Sequence, residues 1–175
     1  MFVGASDWTY FAAYQDDINA VLQAIRQEVF ESGLYYQVEY GDWRTIDEAE
    51  MRQRLADEEP DIREILLDDW RYAKNLHEPD TIERLLEWNR EEGTHSILDI
   101  YNGISDQRGF GAISPLTDEQ LTDAFGTTKP SHEQVQYWLD TARIYEFCGR
   151  GEGLYILVYQ GNEPSEICFT GFSGD

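Results

Sequence analysis

The run from Gly153 to Asp175 constrains the fold more than any other stretch. Leu154-Tyr155-Ile156-Leu157-Val158-Tyr159 and Glu166-Ile167-Cys168-Phe169-Thr170-Gly171-Phe172 are β-prone and flank the turn-rich Gln160–Ser165, which predicts an antiparallel hairpin. A hairpin alone is marginal in water, so further strands or helices must cover its apolar face.

The preceding chain offers that cover. Asp7–Tyr14 reads as an aromatic strand with Trp8, Tyr10 and Tyr14 on one face and Thr9 and Phe11 on the other. Asp16 or Asp17 then caps a helix to about Glu31, whose Ile18, Val21, Leu22, Ile25 and Val29 recur at helical spacing before Ser32-Gly33. Tyr35–Tyr40 reads as a short strand or an extended loop. A capping box at Thr45-Ile46-Asp47-Glu48 predicts a helix to about Glu58. Pro60 opens another with the stripe Ile62, Ile65, Leu66 and Trp70. Asp80 caps a third, bearing Ile82, Leu85, Leu86 and Trp88 and ending at Gly93, so 45–92 forms a helical block.

His95–Tyr101 reads as a second strand, with Leu98 and Ile100 on one face and His95, Ile97, Asp99 and Tyr101 on the other, and 102–115 as a surface loop. Capping boxes at Thr117–Gln120 and Ser131–Gln134 predict a helix ending at Gly126 and one fading near Cys148. The stripe of the latter is Val135, Trp138, Leu139, Ala142 and Ile144 or Tyr145. The expected fold is one α+β domain over 1–175, a small antiparallel or mixed sheet of about four strands ending in the hairpin and packed by amphipathic helices.

The 175 residues carry a net charge of −22, which repels phosphate backbones and anionic lipid surfaces and excludes direct nucleic-acid or membrane binding. The densest acid runs from Asp42 to Asp69, eleven acidic residues against four arginines. Two lysines, Lys74 and Lys129, stand beside eleven arginines, a bias that fits a GC-rich genome or a salty cytoplasm as well as a basic partner. With no signal-like leader and no long apolar run, the chain reads as soluble and cytoplasmic, with Cys148 and Cys168 reduced and packed.

No cofactor is implied. The glycines of 149–153 follow a helix and precede a strand, the reverse of a dinucleotide fingerprint, and no Gly-Lys-Ser/Thr occurs for a Walker loop. His77, His95 and His132 have no local ligand spacing, so no metal site is read, and neither cysteine sits in a nucleophile motif. One enzymatic alternative uses the strand face of His95, Asp99 and Tyr101 with Arg108 from the following loop. There His95 and Asp99 lie roughly 13 Å apart along the strand, too far for a direct dyad. The binding alternative uses Asp42 and Trp43, the acids Asp57, Glu58 and Glu59, and Asp68 and Asp69 beside Trp70, because an apolar anchor ringed by acid suits a basic protein surface. Trp70 continues a core stripe, so its anchoring role competes with simple burial.

The segments Gly4-Ala5-Ser6-Asp7-Trp8-Thr9-Tyr10-Phe11, Gly93-Thr94-His95-Ser96-Ile97-Leu98-Asp99-Ile100 and Gly171-Phe172-Ser173-Gly174-Asp175 resemble segments of uncharacterised proteins from actinomycete-type bacteria. That resemblance implies a bacterial, cytoplasmic origin and transfers no catalytic residue. The expected function is a non-catalytic acidic protein that binds another protein, such as an inhibitor or immunity protein with a basic partner. An enzyme at the His95 strand and a DNA-mimic inhibitor are the alternatives.

Overall fold

The hairpin forms where its alternating apolar residues place it, and its turn is tighter than the sequence predicts. The computed structural model describes residues 6–141 and 143–174, with Asp42 and Trp43 through their backbone alone. In chain order the elements begin with β1 (Asp7–Ala13), α1 (Ile18–Ser32), α2 (Glu48–Arg54), α3 (Pro60–Asn75) and α4 (Ile82–Trp88). They continue with β2 (Gly103–Ile104), β3 (Ala112–Pro115), α5 (Asp118–Phe125), α6 (His132–Asp140), β4 (Gly153–Gln160) and β5 (Glu163–Phe172). Short 3-10 turns occupy Gly41–Arg44, Ile97–Asp99 and Arg143–Glu146. Two compact units result, one spanning Met1–Tyr36 and Glu91–Asp175, the other Gln37–Arg90.

The first unit holds a five-stranded mixed sheet in the order β1-β5-β4-β3-β2, so the fold is α+β with one strand more than expected. β1 and β4 flank β5 antiparallel, and β3 and β2 continue parallel to β4. The turn narrows to Gly161-Asn162, and Pro164 enters the ladder beside an irregularity at Val158/Tyr159, where a residue without an amide is tolerated. One core cluster gathers Leu154, Ile156, Val158, Cys168 and Phe172 with Val135, Trp138, Ile144 and Phe147. Ala142, read into the α6 stripe, lies outside the described residues. The indole of Trp8 lies across the cross-strand pair Gly153 and Gly171. A Cβ on Gly171 would meet that ring and the Glu152 carbonyl, each at 2.5 Å. Gly151 is likewise covered by the Phe110 ring, so the glycines near 150 serve close packing.

The strand expected at His95–Tyr101 does not form. Ser96 caps a 3-10 turn by accepting from the Leu98 amide, and the Asp99 carboxylate accepts from the Thr94 amide at 2.7 Å and the Thr94 hydroxyl at 2.8 Å. These local side-chain bonds compete with a ladder and curl the segment, which buries the consecutive residues Ile97 and Leu98. Two short strands, β2 and β3, arise instead within the stretch expected to be a loop, where Ala112, Ile113 and Ser114 are all buried. Tyr35–Tyr40 is an extended loop.

The second unit is helical. Asp47 caps α2 by accepting from the Glu50 amide, in place of the Thr45 box, and the helix stops at Arg54. Thr81 caps α4 in place of Asp80, which pairs with Arg84, and α4 stops at Trp88, short of Gly93. One core cluster gathers Ile46, Met51, Leu55, Leu67 and Trp70, and Leu76, Leu85 and Trp88 are buried as well. α3 therefore turns Leu67, Trp70 and Ala73 inward, while Ile62 and Ile65 of the expected stripe point to solvent. Trp70 and the partly buried Leu66 of the expected stripe stay against the core.

Candidate functional site

The acidic segment resolves into a structured surface. Arg63 donates to the carbonyls of Leu55, Ala56 and Glu58, tying off the end of α2. Arg52 and Arg71 both donate to Glu48, at 2.7 and 2.8 Å; Arg52 also reaches Glu64 and Arg71 reaches Asp68. The hydrogen bond from Arg71, followed by that from Arg52, holds the Glu48 carboxyl below its ordinary range. Arg54 pairs with Glu50 and Arg84 with Asp80. Arg44 lies over the Trp88 ring and donates to the Leu76 carbonyl; Arg90 lies over Tyr72; Lys74 lies over Trp70 and donates to the Ile46 carbonyl. Every Arg and Lys of this unit thus has an internal partner.

The acids do not all have one. Asp57, Glu58, Glu59, Asp61 and Asp69 make no ion pair among the described residues, and all are exposed. Between them, Ile62 and Ile65 are 46% and 58% exposed on the outer face of α3, one turn apart, with Asp69 the next residue on that line. The structure thus gathers Asp57, Glu58, Glu59, Asp68 and Asp69 on one loop and helix. The anchor beside them is a pair of isoleucines rather than a tryptophan, since Trp70 is buried. The side chains of Asp42 and Trp43 lie outside the described residues.

The residues of the enzymatic alternative are not assembled on one strand face. His95 takes a positive φ of 55° and stacks on Tyr36 at 4.6 Å. Asp99 is bonded to Thr94, Tyr101 lies over Gly111, and Arg108 is exposed on the loop.

A pairing that the sequence does not reveal lies at the other end of the sheet unit. His132 Nδ1 and a Glu166 carboxylate oxygen are 2.8 Å apart, and the imidazole rests on Phe11 with ring centres 4.7 Å apart. They border an open cleft of about 520 Å³ with Ser131, Glu133, Tyr159 and Ser165. His132 and Glu166 are separated by 34 positions and meet only through the β5 register and the docking of α6, so no local spacing signals them. The His132 side chain is half exposed.

Cys148 and Cys168 are free and buried. Burial, with a smaller push from Glu152, raises the Cys148 thiol to about 12, and burial raises Cys168 as well, so neither is a ready nucleophile. Among the described residues no group of three or more His, Cys, Asp or Glu could hold a metal ion, and no helix is long and apolar enough to cross a membrane. No family model, curated protein or solved structure matches the chain.

Proposed function

We propose that the chain is a non-catalytic, acidic cytoplasmic protein of a bacterium that binds a basic protein on the outer face of α3. The observation that carries this reading is the exposed pair Ile62 and Ile65 set among acids that lack internal partners, in a unit whose own cations are all engaged. An apolar pair supplies area to bury, and the surrounding carboxylates raise the encounter rate and select for positive charge. An inhibitor or immunity protein that covers a basic effector surface is the form of partner-binding this chemistry suits best.

The test is capture from native lysate with wild-type bait and with the Ile62→Ser/Ile65→Ser variant, at low and moderate salt. A basic protein retained by the wild type, lost from the variant and released by salt is the expected result. Identical captures on both baits, or retention independent of salt, would sink the reading.

A further inference from the structure

The two edges of the sheet are finished differently. β2 is only two residues long, which leaves almost no backbone to pair with. β1 is seven residues, contains no proline or lysine, and runs in unbroken register with β5 from Asp7 to Ala13.

Its hydrogen-bonding phase follows from two bonds at its ends. The Tyr14 amide donates to the Ser165 carbonyl, and the Ser173 amide donates to the Ser6 carbonyl. Alternation then directs the backbone groups of Trp8, Tyr10 and Ala12 toward β5, and those of Asp7, Thr9, Phe11 and Ala13 outward. None of those four outward residues makes a backbone hydrogen bond beyond the ladder among the described residues, and Asp7, Thr9 and Ala13 are exposed.

We infer that the outer edge of β1 is a docking site for an extended, basic peptide segment, which adds to the sheet as a sixth strand. The backbone supplies affinity in such an addition, and neighbouring side chains supply selectivity. Here the neighbours select for positive charge. Asp7 lies on the strand, and Asp16 and Asp17 follow it, Asp16 accepting from the Tyr14 hydroxyl and Asp17 from the Ala20 amide, while Glu166, opposite Ala13 on β5, is engaged by His132. Neither β1 nor β5 carries a lysine or arginine, and Arg26, the one cation of α1, is buried against the Leu98 carbonyl. A second copy of the chain fits poorly. Antiparallel self-pairing centred on Tyr10 would set Asp7 of each copy opposite Ala13 of the other, close to its Asp16 and Asp17. The inference goes beyond the reading of α3, with which it shares only the sign of the partner's charge.

The experiment is residue-resolved amide exchange of the full chain with a nine-residue peptide alternating Lys with Val and Thr, and with the same peptide carrying Glu for Lys. In the free protein, Trp8, Tyr10 and Ala12 are protected, while Thr9, Phe11 and Ala13 exchange fast. The Lys peptide should slow those three by at least about tenfold, and the Glu peptide should not. Ala13→Pro removes one outward amide and no ladder bond, and should weaken Lys-peptide binding about tenfold. Ile62→Ser/Ile65→Ser should leave the protection of β1 intact, which separates this site from α3. Unchanged exchange at saturating Lys peptide would overturn the proposal, as would equal protection by the Glu peptide. Loss of the effect in the Ile62/Ile65 variant would place the peptide on α3 and overturn it too. Concentration-dependent protection of Thr9, Phe11 and Ala13 in the free protein would assign the edge to a second copy instead.

Discussion

In the sheet unit the Ser6 amide donates to the Ser173 hydroxyl 167 positions away, and a ladder of apolar strands does the joining. In Gln37–Arg90 one buried cluster gathers Ile46, Met51, Leu55, Leu67 and Trp70, with Leu76, Leu85 and Trp88 buried besides, and arginines bonded to carbonyls and carboxylates close the gaps between helices. A helical unit this small buries too little apolar surface for a wide stability margin. Its cations are all engaged by internal partners, which leaves unpaired acids around the exposed isoleucines of α3. The sheet unit, held by its core, can leave a strand edge open. The comparison teaches that the two candidate binding surfaces come from opposite ways of holding a chain together.

The largest test is Trp70→Ala. Removing the main aromatic of the helical core should cost about 3–5 kcal/mol, comparable with the whole stability of so small a unit. Exchange protection of the α3 amides should disappear; retained protection would show that the arginine bonds suffice alone. Gly171→Val strikes the other unit, forcing side-chain carbon into the Trp8 ring and the Glu152 carbonyl, and should cost about 3 kcal/mol in denaturant unfolding read at the β4–β5 amides. Arg63→Met comes next. It keeps volume but removes three bonds to carbonyls, of which the part-buried one to Leu55 is least open to water, so a loss of about 1 kcal/mol is expected, and it should exceed that of Arg52→Met, whose ion pairs are exposed.

Glu48→Gln should have the smallest effect, visible as a change in pH dependence. The folded-state carboxyl titrates below 4.5, so its contribution is complete above that value and is lost as pH falls through the lower folded value. The variant should therefore be slightly less stable at neutral pH and should lose less than the wild type on acidification below about 4.5. Parallel acid limbs for the two proteins would mean that the Arg52–Glu48–Arg71 bridge adds nothing.

The hairpin, α1 and the capping boxes of α5 and α6 were legible because each is a local pattern: alternation, a 3.6-residue stripe, or a side chain three residues from its amide. The 95–101 segment was not, since Thr94, Ser96 and Asp99 bond one another and override its β-prone composition. Four-residue β3 and two-residue β2 are too short for any periodicity. The rotation of α3 was illegible for a different reason. The stripe in the sequence is Ile62, Ile65, Leu66 and Trp70, of which Leu66 and Trp70 pack on the core while Ile62 and Ile65 are exposed, and the inward Leu67 and Ala73 lie off that stripe. The site is thus half visible in the sequence: its acids stand out by composition, while its exposed isoleucines carry the spacing of a core stripe.

The central claim, that a basic partner sits on the acidic outer face of α3, is tested most directly by amide exchange of the protein alone and with the captured partner. The account predicts slowed exchange across residues 58–72, with the β4–β5 hairpin unchanged. Unaltered exchange over 58–72 in a saturated complex would contradict it.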